Sequence, residues 1–297
     1  MQSIKENLEF LQKEIGDYVR LPQSAAESIG INQEGETKFG CEARLVAIRT
    51  FLAQRKSDFA IDLGGNCGFF GLSLLQEQII ERALILDHEP LMIKFGHEVA
   101  RYMGLDENID FQEQSISLDG LANMPDCDVV ICQNLLHHAG SIFDLEQVQH
   151  GGWGDYASRF LTALRSKAGH AVISVNFEEG KPVNWYNNPE EKAAHFAELM
   201  EEAGWKVQRM GRVYDLVKDR MSSGKSDAVS SSTASGLLMN RGVRSFLTKL
   251  SITGSRWLGS SWLGRFLRGR SFAKNYKKAL HETRSIRTDH YYYFFAD

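Results

Sequence analysis

The chain has 297 residues, 43% of them hydrophobic and 24% charged, with a formal net charge of −4. That suffices for one large α/β domain with additions or two modest domains, with the balance of a soluble globular protein. No run of about 18 uncharged apolar residues is present, MQSIKENLEF lacks a basic cap before an apolar core, and Cys41, Cys67, Cys127 and Cys132 form no CxxC pair. A spanning helix, a secretory signal, disulfides and a zinc site are therefore not expected, and a cytoplasmic location is.

In chain order, Ile4, Leu8, Leu11 and Ile15 predict a helix over 3–19, and Leu45, Ile48 and Leu52 a second over 41–54. Strands and helices then alternate. Strands are predicted at 58–63, 83–87, 109–113, 127–132, 170–175 and 205–210. Helices are predicted at 68–79, 91–103, 156–167 and 189–203, with Gly104 and Gly204 as stops. Near-continuous apolar strands interleaved with helices indicate a parallel sheet covered on both faces, with ligands bound outside the strands' carboxyl ends. The last strand, 291–295, reads YYYFF and is expected to join the sheet after a long interruption.

That interruption differs from the rest in charge. Residues 216–288 hold 15 Lys or Arg against 3 Asp or Glu, leaving 19 against 35 elsewhere. A Ser-rich stretch at 222–235 precedes a basic, Trp- and Phe-bearing segment at 241–280, where Leu258, Trp262, Leu263, Phe266 and Leu267 share one broad helical side. Such a segment either caps a pocket with its apolar side or meets something anionic: a membrane surface, a lipid-linked glycan, nucleic acid or a protein partner. Three units are expected: N-terminal helices at 1–56, the α/β domain at 57–215 plus 286–297, and an insertion at 216–285.

The run FAIDLGGNCGFFGL ends a strand on Asp62 and places Gly64, Gly65 and Gly68 in the turn before a helix. Missing side chains let backbone N–H groups approach a ligand closely. A phosphate loop, GxxxxGK[ST], is excluded because no Lys-Ser/Thr follows Gly68. A dinucleotide turn is excluded because glycine spacing i, i+2, i+5 from Gly64 or Gly65 meets Asn66 and Phe69 or Cys67 and Phe70.

The run Asp62-Leu63-Gly64-Gly65-Asn66-Cys67-Gly68 resembles the first motif of the class I S-adenosylmethionine-dependent methyltransferases, D/E-x-G-x-G-x-G. Asn66 replaces the middle glycine, and Asn is the non-glycine residue that best accepts left-handed backbone angles. Three later stretches extend the resemblance: LILDHEP, QNLLHH, and HFAELMEEAGWKVQRM. It implies a Rossmann-like, doubly wound, seven-stranded sheet with an antiparallel last strand, N-terminal helices, and a basic helical insertion before that strand. It also implies S-adenosyl-L-methionine as cofactor. Asp62, Gly64, Gly65, Asn66 and Gly68 would form its turn. Asp87, with His88 beside it, would accept the ribose hydroxyls. Gln114, Ser115 and Ile116 would meet the adenine, with Ser115 where the family usually has Asp. Gln133 and Asn134 would be pocket amides, or ordinary loop residues on the plainer reading. Asp62 is expected to combine a ligand role with accepting bonds from the turn's N–H groups.

A narrower likeness, through DLGGNCGFFGLSL and LLHHAG, is to the methyltransferase half of bacterial O-antigen chain-terminating enzymes and to other cell-surface glycan methyltransferases. It implies Arg44 as a contact for the methionine carboxylate, whereas position alone makes Arg44 a surface helix residue. No kinase signature is present. In such chemistry a neutral His takes the acceptor's proton, so His138, with His137 second, is the expected base. Consecutive residues are not expected to share one pocket comfortably, and a metal site built on His137, His138 and Asp144 is not expected. The reading is a methyltransferase acting on a hydroxyl of a sugar, glycan or other small molecule, cytoplasmic, with peripheral membrane contact through 241–280 in view and nucleic acid not expected. The alternatives are an RNA or protein methyltransferase, or a non-catalytic cofactor-fold module that binds partners.

Overall fold

The structure, a computed structural model, describes residues 2–15, 19–31, 40–177, 188–212 and 291–297. The expected insertion at 216–285, with its helix over 241–280, lies outside the described residues.

Three helices open the chain: α1 (Gln2–Ile15), α2 (Gln23–Ser28) and α3 (Cys41–Leu52). Then come β1 (Phe59–Leu63), α4 (Phe69–Gln76), β2 (Arg82–Asp87), α5 (Pro90–Met103), β3 (Ile109–Glu113), α6 (Leu118–Ala122) and β4 (Cys127–Gln133). A 3₁₀ turn (Leu136–His138), α7 (Leu145–Arg165), β5 (Ala168–Asn176), α8 (Pro189–Glu202), β6 (Val207–Arg212) and β7 (Tyr291–Ala296) follow among the described residues. Among the described residues seven strands form one sheet in the order β3-β2-β1-β4-β5-β7-β6. The first five run parallel, and β7 enters antiparallel between β5 and β6. This is the doubly wound sheet that the resemblance implies, and YYYFF is its inserted last strand.

Alternation along the strands builds two cores. Ala60, Ile85, Val129, Ile131, Val172, Tyr293 and Phe295 face α1–α5, while Ile61, Leu63, Val130, Cys132, Ile173, Val175 and Phe294 face α6–α8. The sheet order reverses between β1 and β4, which puts the ligand-binding crevice at the carboxyl ends of β1, β2 and β4.

Several boundaries differ from expectation for local reasons. Helix α7 begins at Leu145, ahead of the expected Tyr156; its first half carries Gly151, Gly152 and Gly154, which mask the helical pattern, and it bends at Gly152 (φ 81°, ψ 165°). The short α6 carries no periodic signal; it is held by Ser117 Oγ, which accepts from the Gly120 N–H at 3.0 Å. Among the described residues no helix is long and apolar enough to cross a membrane. Burial pushes the thiols of Cys67, Cys127 and Cys132 up to about 12, so these three are not thiolates near neutral pH.

Candidate cofactor and active site

The glycine turn is pinned to the end of β2. The Gly64 and Gly65 N–H groups donate to Leu86 O at 2.8 and 3.2 Å, and the Asn66 N–H donates to Asp87 Oδ2 at 2.8 Å. The Cys67 N–H donates to Asn66 Oδ1 at 2.8 Å, and the Gly68 N–H to Gly65 O at 2.9 Å. Every N–H from Gly64 to Gly68 thus has a protein acceptor. The expectation that this turn offers donors to a ligand is corrected: it offers glycine backbone surface instead. Gly64, Asn66 and Gly68 have φ of 66°, 56° and 82°, so Asn66 adopts the left-handed conformation expected of it. Gly65 is needed for a different reason: a Cβ there would lie 2.7 Å from Ile85 Cγ2 and 2.8 Å from Asp62 Cγ.

The two carboxylates divide the work differently from expectation. Asp87, not Asp62, bonds the turn: besides Asn66, its Oδ1 accepts from the Glu89 N–H at 3.0 Å. A carboxylate has about four lone-pair sites, so each Asp87 oxygen retains capacity for a hydroxyl. Asp62 is buried against the turn, and its Oδ2 has no hydrogen-bond partner among the described residues. Burial first, and then the nearby Asp87, hold the Asp62 carboxyl well above the usual carboxylate range.

That shift has a testable consequence for stability. The fold favours neutral Asp62, so its contribution is full below the ordinary carboxylate pKa of about 4 and is lost as pH rises from there through the raised folded value. Asp62→Asn, neutral throughout, should raise Tm relative to the native chain more at about pH 8 than at about pH 5. An equal difference at both pH values by calorimetry would contradict the shift.

The remaining predicted residues distribute around this centre. His88 is exposed, with Nδ1 3.5 Å from Asp87 Oδ1. The Gln114 N–H donates to Asp87 O at 2.8 Å, which ties the exit of β3 to the tip of β2. Ser115 is exposed and Ile116 is buried in the core beneath α6 and α7. Gln133 Nε2 donates to Val172 O at 3.2 Å, while its buried Oε1 has no partner among the described residues.

Arg44 is 4% exposed, which removes the reading of a surface helix residue. With the Asn134 amide oriented by its neighbours, its oxygen accepts from both outer Arg44 nitrogens at 2.8 and 2.9 Å and its nitrogen donates to Ser174 Oγ at 2.9 Å. Ser174 Oγ also accepts the Asn134 backbone N–H at 2.9 Å. Ser174 stands in register with Gln133 on one side and Tyr293 on the other. Ser174 and Asn176 were not singled out from the sequence; the period-2 polar pattern at the end of AVISVN was the available signal.

His137 and His138 lie in the 3₁₀ turn after β4, and their rings come to 4.2 Å between centroids, tilted by 41°. The turn is tighter than a continuing strand, where neighbours face opposite ways, and so brings the two rings side by side. His137 is buried, and its Nδ1 accepts from the Asn176 N–H at 3.4 Å; His138 is half-buried. Asp144 is engaged by the Tyr156 hydroxyl at 2.6 Å and the Leu118 N–H at 2.9 Å. No metal-ligating cluster occurs among the described residues.

Sheet order, antiparallel last strand and glycine turn together make a Rossmann-like, doubly wound seven-stranded sheet among the described residues. No family model and no curated protein matches the chain in sequence. Among solved structures it is similar to a putative sarcosine dimethylglycine methyltransferase from Galdieria sulphuraria, at 12% identity over 98% of this chain and 97% of that one, with a TM-score of 0.48. A SAM-dependent methyltransferase from Thiobacillus denitrificans, in complex with S-adenosyl-L-homocysteine, matches at 12% identity over 94% and 98%, with a TM-score of 0.43. The bifunctional kinase-methyltransferase WbdD matches at 18% identity over 70% of this chain and 43% of that one, with a TM-score of 0.48. None of the three reaches a TM-score of 0.5, so the activity rests on the chemistry of the site itself.

Proposed function

We propose that the chain is an S-adenosyl-L-methionine-dependent methyltransferase whose acceptor is a hydroxyl of a sugar, glycan or other small molecule. The observation that carries this is the pairing of a turn with no N–H to spare and an acceptor carboxylate, Asp87, at the end of the next strand. A turn whose N–H groups are all used internally makes a poor seat for a phosphate, while Asp87 keeps lone-pair capacity beyond its two turn bonds and the adjacent strand tip holds the buried Asp62 oxygen without a partner among the described residues. That electrostatic character suits a cationic nucleoside with free ribose hydroxyls and disfavours a pyrophosphate dinucleotide. The residues fit the group: Asp87 for the ribose hydroxyls, the glycine surface of 64–68 for close approach, and the orphaned Asp62 oxygen for a donor.

When bound, the cofactor supplies an electrophilic methyl group, and the protein is left with alignment and proton removal. His138 is the group we assign to the proton. It sits one residue beyond buried His137, whose Nδ1 is taken by Asn176, and it keeps partial access to solvent. His138→Ala should lower turnover by about 10²–10⁴-fold while changing cofactor affinity less than about threefold. Normal turnover in that variant would clear His138 of the role.

The direct test of the cofactor is calorimetric titration with S-adenosyl-L-homocysteine beside NADH. Heat with the first and none with the second is expected; the reverse would overturn the proposal. The glycan acceptor rests on the DLGGNCGFFGLSL and LLHHAG likeness, and a screen of nucleotide sugars and glycan fragments with labelled cofactor tests it. Cytoplasmic location and peripheral membrane or lipid-linked contact through 241–280 belong to the same proposal. Liposome co-sedimentation of the full chain against one lacking 241–280 tests the contact, and equal sedimentation would remove it.

A further inference from the structure

Asn134 sits at the junction between the sheet and the turn that carries both histidines. Its backbone is left-handed, with φ 56°, a conformation that costs a non-glycine residue about 1–2 kcal/mol and persists only where the surroundings impose it. Those surroundings are specific. Arg44, reaching down from α3, places both outer guanidinium nitrogens on the Asn134 side-chain oxygen, and Ser174 of β5 takes both the backbone N–H and the side-chain amide. Arg44 is itself fixed: it is 4% exposed, and its Cζ lies 5.8 Å from the centre of the Tyr293 ring on β7.

The residues just beyond Asn134 make the clamp relevant to chemistry. Leu135 packs on the glycine turn, where a Cβ added to Gly64 would lie 3.3 Å from Leu135 Cδ1. Leu135 O then accepts the His138 N–H at 2.9 Å, and Leu136 O the Ala139 N–H at 3.1 Å. The conformation at Asn134 therefore sets where Leu135 meets the cofactor turn and where the His137 and His138 rings point.

We propose that Arg44 is a positioning residue: its planar fork, closed on the Asn134 oxygen, holds Asn134 left-handed and fixes the turn bearing Leu135, His137 and His138. The consequence for turnover rests on the methyltransferase reading; the mechanical role does not. It differs from a direct contact between Arg44 and the cofactor's carboxylate, and the two separate by experiment. Lysine keeps the charge but presents a point donor instead of a fork, so it cannot hold one oxygen through two fixed N–H groups. Asn134→Asp keeps an acceptor for the fork and serves as the conservative rescue.

Backbone hydrogen exchange over 134–140, the NMR signals of the histidine rings, and calorimetry with S-adenosyl-L-homocysteine decide it. Arg44→Lys should speed exchange about tenfold or more and shift the His137 and His138 ring signals, while changing affinity less than about threefold. Asn134→Asp should retain slow exchange and native ring signals. Asn134→Gly should loosen the turn as Arg44→Lys does, and combining the two should add little. Native exchange and ring signals in Arg44→Lys would overturn the proposal, as would a tenfold loss of affinity with the turn unmoved, which is the signature of direct contact. Should Arg44→Lys fail to fold, unchanged ring signals in Asn134→Gly would overturn it equally. If the native chain itself gives no heat with S-adenosyl-L-homocysteine, the cofactor assignment falls, while exchange and ring signals still decide the role of Arg44.

Discussion

Asp87→Ala is expected to weaken S-adenosyl-L-homocysteine binding about 100-fold or more and to destabilise the apo chain as well. Two hydrogen bonds from ribose hydroxyls to an ionised carboxylate are worth about 1.5–3 kcal/mol each, which together exceed a hundredfold in affinity. The same carboxylate accepts the Asn66 and Glu89 N–H groups, so removing it strips two protein donors of their acceptor at about 1–3 kcal/mol each where water does not replace it. Asp87→Asn separates the two roles. It keeps one acceptor oxygen and the side-chain volume, so its stability should lie between alanine and native while its affinity stays low. Calorimetric titration and thermal unfolding on the three proteins provide both readouts. An alanine variant whose affinity stays within about threefold of native would end the ribose assignment; a native Tm would end the claim that Asp87 anchors the turn.

Gly68→Ala should be nearly as damaging, through sterics alone. Gly68 has φ 82°, and a Cβ there would stand 2.7 Å from Phe111 Cε1 and 2.9 Å from Phe111 Cζ, a ring buried between the turn and α5. Backbone strain of about 1–2 kcal/mol and overpacking of about 1–3 kcal/mol combine to lower Tm by about 5–15 °C. Asn66→Gly is the contrasting substitution. It restores the glycine that the family motif has, at a φ of 56° that glycine adopts freely, and loses only the bond from Cys67 N–H to the Asn66 side chain. Its Tm should stay within about 3 °C of native. Equal Tm values for the two variants would mean that Gly68 is not in the tight, left-handed position described.

Much of this architecture was legible because parallel sheets write themselves as apolar runs. AIDL, ALILD, VVIC and AVIS each announce a strand, and the intervening helices carry stops at Gly104 and Gly204. The motif at 62–68 located the turn, and Asp87 at the end of the second strand located its partner. What escaped notice was short or glycine-bearing: α2 and α6, and the first half of α7 with its bend at Gly152. Helices of five or six residues are stabilised by caps and packing rather than by a period long enough to detect.

By itself the sequence determined the alternation, the carboxylates at two strand ends, the turn that only small residues and Asn can make, and the two adjacent histidines. Tertiary structure alone decided how those pieces divide their tasks. It assigned the turn's N–H groups to Leu86, Asp87 and the turn's own oxygens, left Asp62 with a buried bare oxygen, and drew Arg44 inward onto Asn134. The reason is physical: which donor meets which acceptor depends on strand register and helix packing between residues far apart in the chain, and no local pattern encodes those pairings.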